Sequence, residues 1–131
     1  MSVEQRFGPI DPRVDIGHVH LKVSEIDRAL DFYVGVLGFD LMTRAGDQAA
    51  FISAGGYHHH IGLNTWHSRG GAPPAAGSVG LRSFEVALPD QAGLETVLAR
   101  VRAAGIAIDE DDGAPLVRDP SGNGVRLSLA A

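Results

Sequence analysis

The chain has 131 residues, 44% of them hydrophobic and 21% charged, with a formal net charge of −5 and no cysteine. Such values describe one globular domain able to bury a core, and they exclude thiolate chemistry, a disulfide framework and a basic nucleic-acid-binding stripe. No apolar run nears the ~18–20 residues that span a bilayer, and the N-terminus lacks the basic-then-apolar plan of a secretion signal, so no membrane partner and a cytoplasmic location are expected.

The opening residues, with Pro9 and Pro12, stand outside any periodic pattern and are expected to form an extended arm. After Ile16, Val19, Leu21 and Val23 alternate with His18, His20 and Lys22, the period of a half-buried strand. Ser24 is the candidate cap of a helix expected over 25–37, where Ile26, Leu30, Tyr33 and Leu37 fall at helical spacing before Gly38. Short strands are expected at 40–44, 49–53 and 58–65, parted by Ala45-Gly46-Asp47 and Gly55-Gly56. Residues 67–80 hold Val79 as their one long apolar side chain and read as a linker or lid loop.

The plan then restarts. Phe84, Val86 and Leu88 alternate with Ser83, Glu85 and Ala87 in a strand expected over 81–88. Asp90 is the candidate cap of a helix over 90–104, with Leu94, Val97, Leu98 and Val101 on one face and Gly105 at its end. Strands are expected at 106–109, 114–118 and 124–129, the last following the turn Asp119-Pro120-Ser121-Gly122-Asn123-Gly124. The halves stay in register: His18 to Ser83 is 65 residues, Gly38 to Gly105 is 67 and Gly62 to Arg126 is 64. A period this long, occurring twice, means two copies of one unit. The expected fold is α+β. Two βαβββ modules, about 16–66 and 81–129, are joined by the linker at about 67–80 in a single domain, and form a cupped mixed sheet with the helices on its outer face.

One helix can cover one face of each module's sheet. Burying Val19, Leu21, Val23, Ile61 and Leu63, with Phe84, Val86, Leu88, Val125, Leu127 and Leu129, assigns them to the helix side. The other face collects His18, His20, Lys22, His58, His60, Gly62, Asn64, Ser83, Glu85, Arg126 and Ser128. A wet face is the ordinary fate of such a set. Four histidines, drawn from strands that the repeat brings together, point instead to a lined cavity for a small molecule.

Residues 16–39, Ile-Gly-His-Val-His-Leu-Lys-Val-Ser-Glu-Ile-Asp-Arg-Ala-Leu-Asp-Phe-Tyr-Val-Gly-Val-Leu-Gly-Phe, resemble the opening of glyoxalase, fosfomycin-resistance and extradiol-dioxygenase proteins. The turn at 119–124 is similar to that family's closing Asp-Pro-x-Gly-Asn, and residues 56–66 resemble the fourth strand of its catechol-dioxygenase-like members. The resemblance to this vicinal-oxygen-chelate family implies one divalent metal held by a His on the first strand, a His on the fifth and a Glu on the eighth. His18 matches the first position, Ser83 stands at the second and Arg126 at the third. In the glyoxalase I pattern a fourth-strand Glu also ligates; here that position is Gly62. A permanent cation where the metal would sit opposes it by Coulomb repulsion, and a serine hydroxyl is a poor ligand beside imidazole. A shifted set of His20, Glu85 and His58 or His60 would supply the two-His, one-carboxylate pattern of non-haem iron.

Two functions follow. A metal-dependent oxygenase or dioxygenase, or a glyoxalase-like lyase or isomerase, would use His18, His20, His58, His60 and Glu85 for Fe²⁺ (Mn²⁺ or Zn²⁺ as alternatives), with His18, Ser83 and Arg126 at the chemistry. Its substrate would be a small, oxygen-rich compound, aromatic or not, met by Lys22, Asn64, Trp66 and Arg126. A metal-free antibiotic- or metabolite-binding protein, like the family's bleomycin-resistance members, would use Arg126 as an anion clamp and Trp66 as a lid. A Ser83–His18 nucleophile lacks any elbow motif around the serine. Single-chain relatives with two modules commonly pair, so the resemblance also implies a homodimer.

Overall fold

The computed structural model describes residues 9, 11, 12, 17–75 and 77–130; most of the expected N-terminal arm lies outside them. Strand β1 (Val19–Lys22) leads into helix α1 (Ile26–Leu30), which continues as a π-helical segment, Asp31–Val36. Strands β2 (Asp40–Ala45), β3 (Ala49–Ser53) and β4 (Ile61–Asn64) follow. The second half repeats the plan with β5 (Phe84–Leu88), α2 (Gln91–Ala103), β6 (Asp109–Asp111), β7 (Ala114–Arg118) and β8 (Gly124–Leu129). Each half makes one four-stranded mixed sheet, in the orders β1-β4-β3-β2 and β5-β8-β7-β6, so β1 and β5 are edge strands. The closing pair is parallel in both sheets, with His20 opposite Gly62 and Glu85 opposite Arg126.

The alternation works as expected on β1, where Leu21 is buried while His20 and Lys22 are exposed. Leu21, Leu63, Val125 and Leu127 join Ile26, Phe32, Tyr33, Leu94, Val97 and Val101 in one core shared by both halves. Burial of such side chains at roughly 25 cal/mol per Å² is what holds the helices on the sheets. The last turn of the first helix widens, with the Leu37 N–H donating to the Phe32 carbonyl at 2.9 Å. Consecutive Phe32 and Tyr33 are both buried there.

Ser24 does not cap α1. The N-cap is Glu25, without a side-chain cap bond, and the Ser24 N–H donates to Ser121 Oγ at 2.8 Å across the repeat. Asp90 caps α2 as expected, accepting from the Gly93 N–H at 2.8 Å. The fourth strand is shorter than its pattern promised. Gly55 and Gly56, at φ of 71° and 82°, turn the chain back, so His58 lies in that turn and β4 begins only at Ile61. In the second module, the strand expected at 106–109 likewise starts later, at Asp109.

The Asp-Pro-Ser-Gly-Asn turn clasps the halves together. The Asp119 carboxylate accepts from Tyr33 Oη at 2.8 Å, from the Ser121 and Asn123 N–H groups at 2.8 and 2.9 Å, and from Asn123 Nδ2 at 2.8 Å. Asn123 Nδ2 also donates to the Lys22 carbonyl at 2.9 Å. Burial, the Asp119 charge and the hydrogen bond to it all push the Tyr33 phenol far above its ordinary range, so it stays a neutral donor.

Candidate functional site

On the first sheet, β1 sets His20 beside Gly62 and β3 sets Phe51 beside the same glycine from the other side. The two rings meet edge-on over it, with centroids 5.8 Å apart. A Cβ on Gly62 would run into the imidazole, 2.6 Å from Cδ2 and 2.9 Å from Cε1. The absent side chain is therefore what lets His20 lie down on the sheet. Trp66, at the end of β4, faces the same imidazole at 6.1 Å with planes 25° apart. Asn64 is 6% exposed and sits behind both. Its Oδ1 accepts from the Trp66 N–H at 3.4 Å, which leaves Nδ2 to donate to His20 Nδ1 at 3.3 Å. With Nδ1 accepting, the neutral imidazole carries its proton on Nε2.

Four more histidines gather beside this wall. His18 packs on His59 at 4.7 Å, and His59 on Phe51 at 5.1 Å. His58 packs on both His59 and Tyr57, His60 on Tyr57, and His60 Nδ1 accepts from the Ala54 N–H at 3.2 Å. Desolvation lowers the His59 pKa, and His18, His58, His20 and His60 would repel its charged form further. Phe51 and His59 were not singled out by the pattern. Phe51 was detectable, because the alternation of 49–53 puts it on the open side opposite Gly62.

The second sheet answers with charge. Arg126 Nη1 lies 3.2 Å from Glu85 Oε1, while its Nε and Nη2 donate to the Asp111 and Asp112 carbonyls at 3.2 and 3.1 Å. Every guanidinium nitrogen thus has a protein partner, which ties β8 to the β6–β7 turn. His18, His60, Ser83 and Glu85 line one cavity of about 680 Å³ between the edge strands β1 and β5. Among the described residues no hydrogen bond joins Ser83 to His18. A second cavity, about 370 Å³, is lined by His20, Lys22, Ser68, Leu81, Ser121 and Asn123. Its loop side is fixed: Ser68 Oγ donates to the Val23 carbonyl at 2.8 Å and the Gly70 N–H to the Ser24 carbonyl at 3.0 Å.

Two βαβββ units that share a core, each closed by a parallel pair of its first and fourth strands, define the vicinal-oxygen-chelate class of protein. Residues 15–127 match the model of the Glyoxalase/Bleomycin resistance protein/Dioxygenase superfamily, and the chain belongs to it. It is 48% identical over 106 residues to a catechol-2,3-dioxygenase of Bacillus subtilis (strain 168), covering 80% of this chain and 37% of that protein. The chain thus spans little more than a third of that relative's length. A lactoylglutathione lyase from Agrobacterium tumefaciens shares the fold at a TM-score of 0.68 and 24% identity, over 92% of this chain and 96% of that one. The antibiotic binding protein TnmS3 from Streptomyces sp. CB03234 does so at 0.64 and 20%, over 92% and 99%.

The superfamily and the catechol dioxygenase relative suggest a divalent metal, often Fe²⁺. The side chains of this chain do not fit one. Among the described residues no three His, Asp or Glu side chains form a group able to hold a metal ion. Of the ligand positions that the family resemblance implies, His18 alone carries a donor of the implied kind, and Arg126 brings a cation that Glu85 already neutralises. The shifted set is divided as well, since His20 lies against Trp66 and Phe51 while Glu85 is held by Arg126. No helix among the described residues is long and apolar enough to cross a membrane.

Proposed function

We propose that this chain is a dioxygenase-type member of the superfamily that binds a small, oxygen-rich aromatic compound of the catechol class, and that by itself it binds rather than oxygenates. The pairing of Arg126 with Glu85 carries this reading: at the position for which the resemblance implies a metal-binding carboxylate, the chain has a cation with a protein partner on every nitrogen. The identity to a catechol-2,3-dioxygenase supports the ligand class. His18, Ser83 and Glu85 offer hydrogen-bonding groups around the larger cavity, and Lys22 and Trp66 face the ligand beside His20. Asn64 acts from behind, through His20 and Trp66.

Metal-dependent dioxygenation is the alternative, favoured by the same 48% identity. It would require Fe²⁺, Mn²⁺ or Zn²⁺ on His18, His20, His58, His60 and Glu85 after rearrangement. Anaerobic calorimetry with catechol, with and without Fe²⁺, followed by oxygen-uptake measurement, separates the two. Saturable catechol binding without metal, and no oxygen uptake above a protein-free blank with Fe²⁺, is expected. Fe²⁺-dependent oxygen consumption with ring cleavage would overturn it, and absence of catechol binding would remove the ligand class. A homodimer belongs to the same proposal, because the outer edge strands of the two sheets, β2 and β6, offer unpaired backbone for pairing; a monomer mass by light scattering at micromolar concentration would contradict it.

A further inference from the structure

The wall on the first sheet has a composition that suits one kind of ligand. Strands β1, β3 and β4 turn His18, His20, Lys22, Phe51, Gly62 and Asn64 to one side, as their cross-strand pairing requires, and no carboxylate is among them. The chain as a whole carries −5, and Lys22 is the one formal charge among these six residues. Trp66 is 58% exposed, an unusual amount of indole to leave in water, and its ring faces the His20 imidazole. His20, held by Asn64 with its proton on Nε2, adds a second flat ring and a hydrogen-bond donor. Lys22 lines the same cavity as His20 and is the only lysine of the chain.

We propose that His20, Phe51, Trp66 and Lys22 form a subsite for a planar aromatic carboxylate, the ring lying against the imidazole and indole and the carboxylate reaching Lys22. Gly62 and Asn64 are its positioning residues. Gly62 supplies the seat on which the imidazole lies, and Asn64 fixes both the imidazole's tautomer and the backbone of Trp66. A flat, electron-rich surface favours offset or edge contacts with an arene over a puckered ring of equal size. A lysine ammonium pairs with a carboxylate as a point charge and asks for no bidentate geometry. This deepens the proposed function, resting on its statement that the ligand is aromatic; it adds where the ring lies and that the ligand is an acid.

Trp66 is the chain's one tryptophan and reports on the subsite directly. The whole chain is titrated with benzoate while Trp66 emission is followed, with cyclohexanecarboxylate as the puckered acid of equal charge and benzyl alcohol as the neutral arene. Saturable change with benzoate is expected, with cyclohexanecarboxylate weaker by about tenfold or more. His20→Leu and Gly62→Ala should each weaken benzoate by about tenfold. Lys22→Gln should weaken benzoate and leave benzyl alcohol unchanged. Because His20 is exposed, His20→Leu remains decisive should Gly62→Ala fail to fold. Equal affinity for the puckered and planar acids, unchanged benzoate affinity in His20→Leu, or no saturable response would overturn the subsite. Catechol binding by calorimetry together with a silent Trp66 and unaffected His20→Leu would sink the subsite alone. Benzoate binding here without any catechol binding would sink the catechol reading alone.

Discussion

His20 faces Gly62 across β1 and β4, and Glu85 faces Arg126 at the equivalent place across β5 and β8. One position of one repeated fold is thus built in two unlike ways. In the first sheet a ring lies on a residue with no side chain and is held by an amide and two aromatic neighbours. In the second, a guanidinium is spread between a carboxylate and two carbonyls. The frame around both pairs is the same, with Leu21 and Leu63 behind one and Leu127 behind the other, all buried. The central cross-strand pair is therefore where this fold changes chemistry without touching its core.

The contrast exists only while both sheets share one body, so the largest effect is expected at the clasp between them. Asp119→Ala removes the acceptor of four hydrogen bonds and leaves the buried Tyr33 hydroxyl without a partner. A loss of about 3–5 kcal/mol in urea unfolding is expected, and less than about 1 kcal/mol would show that the clasp is incidental. Tyr33→Phe should cost about 1.5–3 kcal/mol, the usual worth of a hydrogen bond to a charged group. It should also change the pH profile. The folded-state pKa of Tyr33 is raised above its ordinary 10.0, so its contribution is complete below that pH and is lost as pH rises past it, where the unfolded phenol ionises. Alkaline destabilisation should be shallower in Tyr33→Phe than in the wild type; parallel profiles would contradict the assignment.

Much of this architecture was legible in the sequence. Alternation on β1 and β5, helical spacing at Leu94, Val97 and Val101, and the glycine-bounded turns all report burial on a local period, which one chain displays by itself. The equivalence of Gly62 and Arg126 in the two repeats was legible for the same reason. What escaped was non-local. Ser24 looked like a helix cap because its competing partner, Ser121, lies 97 residues away. His58 looked like a strand residue because two turn glycines just before it take up more chain than their number suggests. Asn64 looked like a ligand contact, and only its burial beneath His20 and Trp66 reveals a supporting role.

A smaller stability effect sharpens the first half of the comparison. Gly62→Ala puts a methyl group where the His20 ring lies, but the ring is the far end of an exposed side chain and can swing away. Relief of the glycine's backbone entropy offsets part of the cost, so the net change should stay within about 1 kcal/mol. The His20 imidazole resonances should nevertheless shift strongly in NMR spectra, because the contacts to Phe51 and Trp66 are broken. Loss of the fold would mean that the imidazole is wedged rather than laid on its seat.

The smallest effect is expected in the second half. The Arg126 and Glu85 side chains are 28% and 50% exposed, so water and salt screen their attraction, and Glu85→Gln should cost about 0–1 kcal/mol and less at high ionic strength. Arg126→Lys should cost more than Glu85→Gln. An ammonium cannot reach the carboxylate and both the Asp111 and Asp112 carbonyls at once, and those carbonyls belong to a turn where Asp112 holds a φ of 50°. Thermal denaturation of the two variants at low and high salt tests the order. If Glu85→Gln matched or exceeded Arg126→Lys, the ion pair rather than the carbonyl contacts would be what holds the guanidinium. Arg126 would then be freer to turn toward an anionic ligand than its three partners imply.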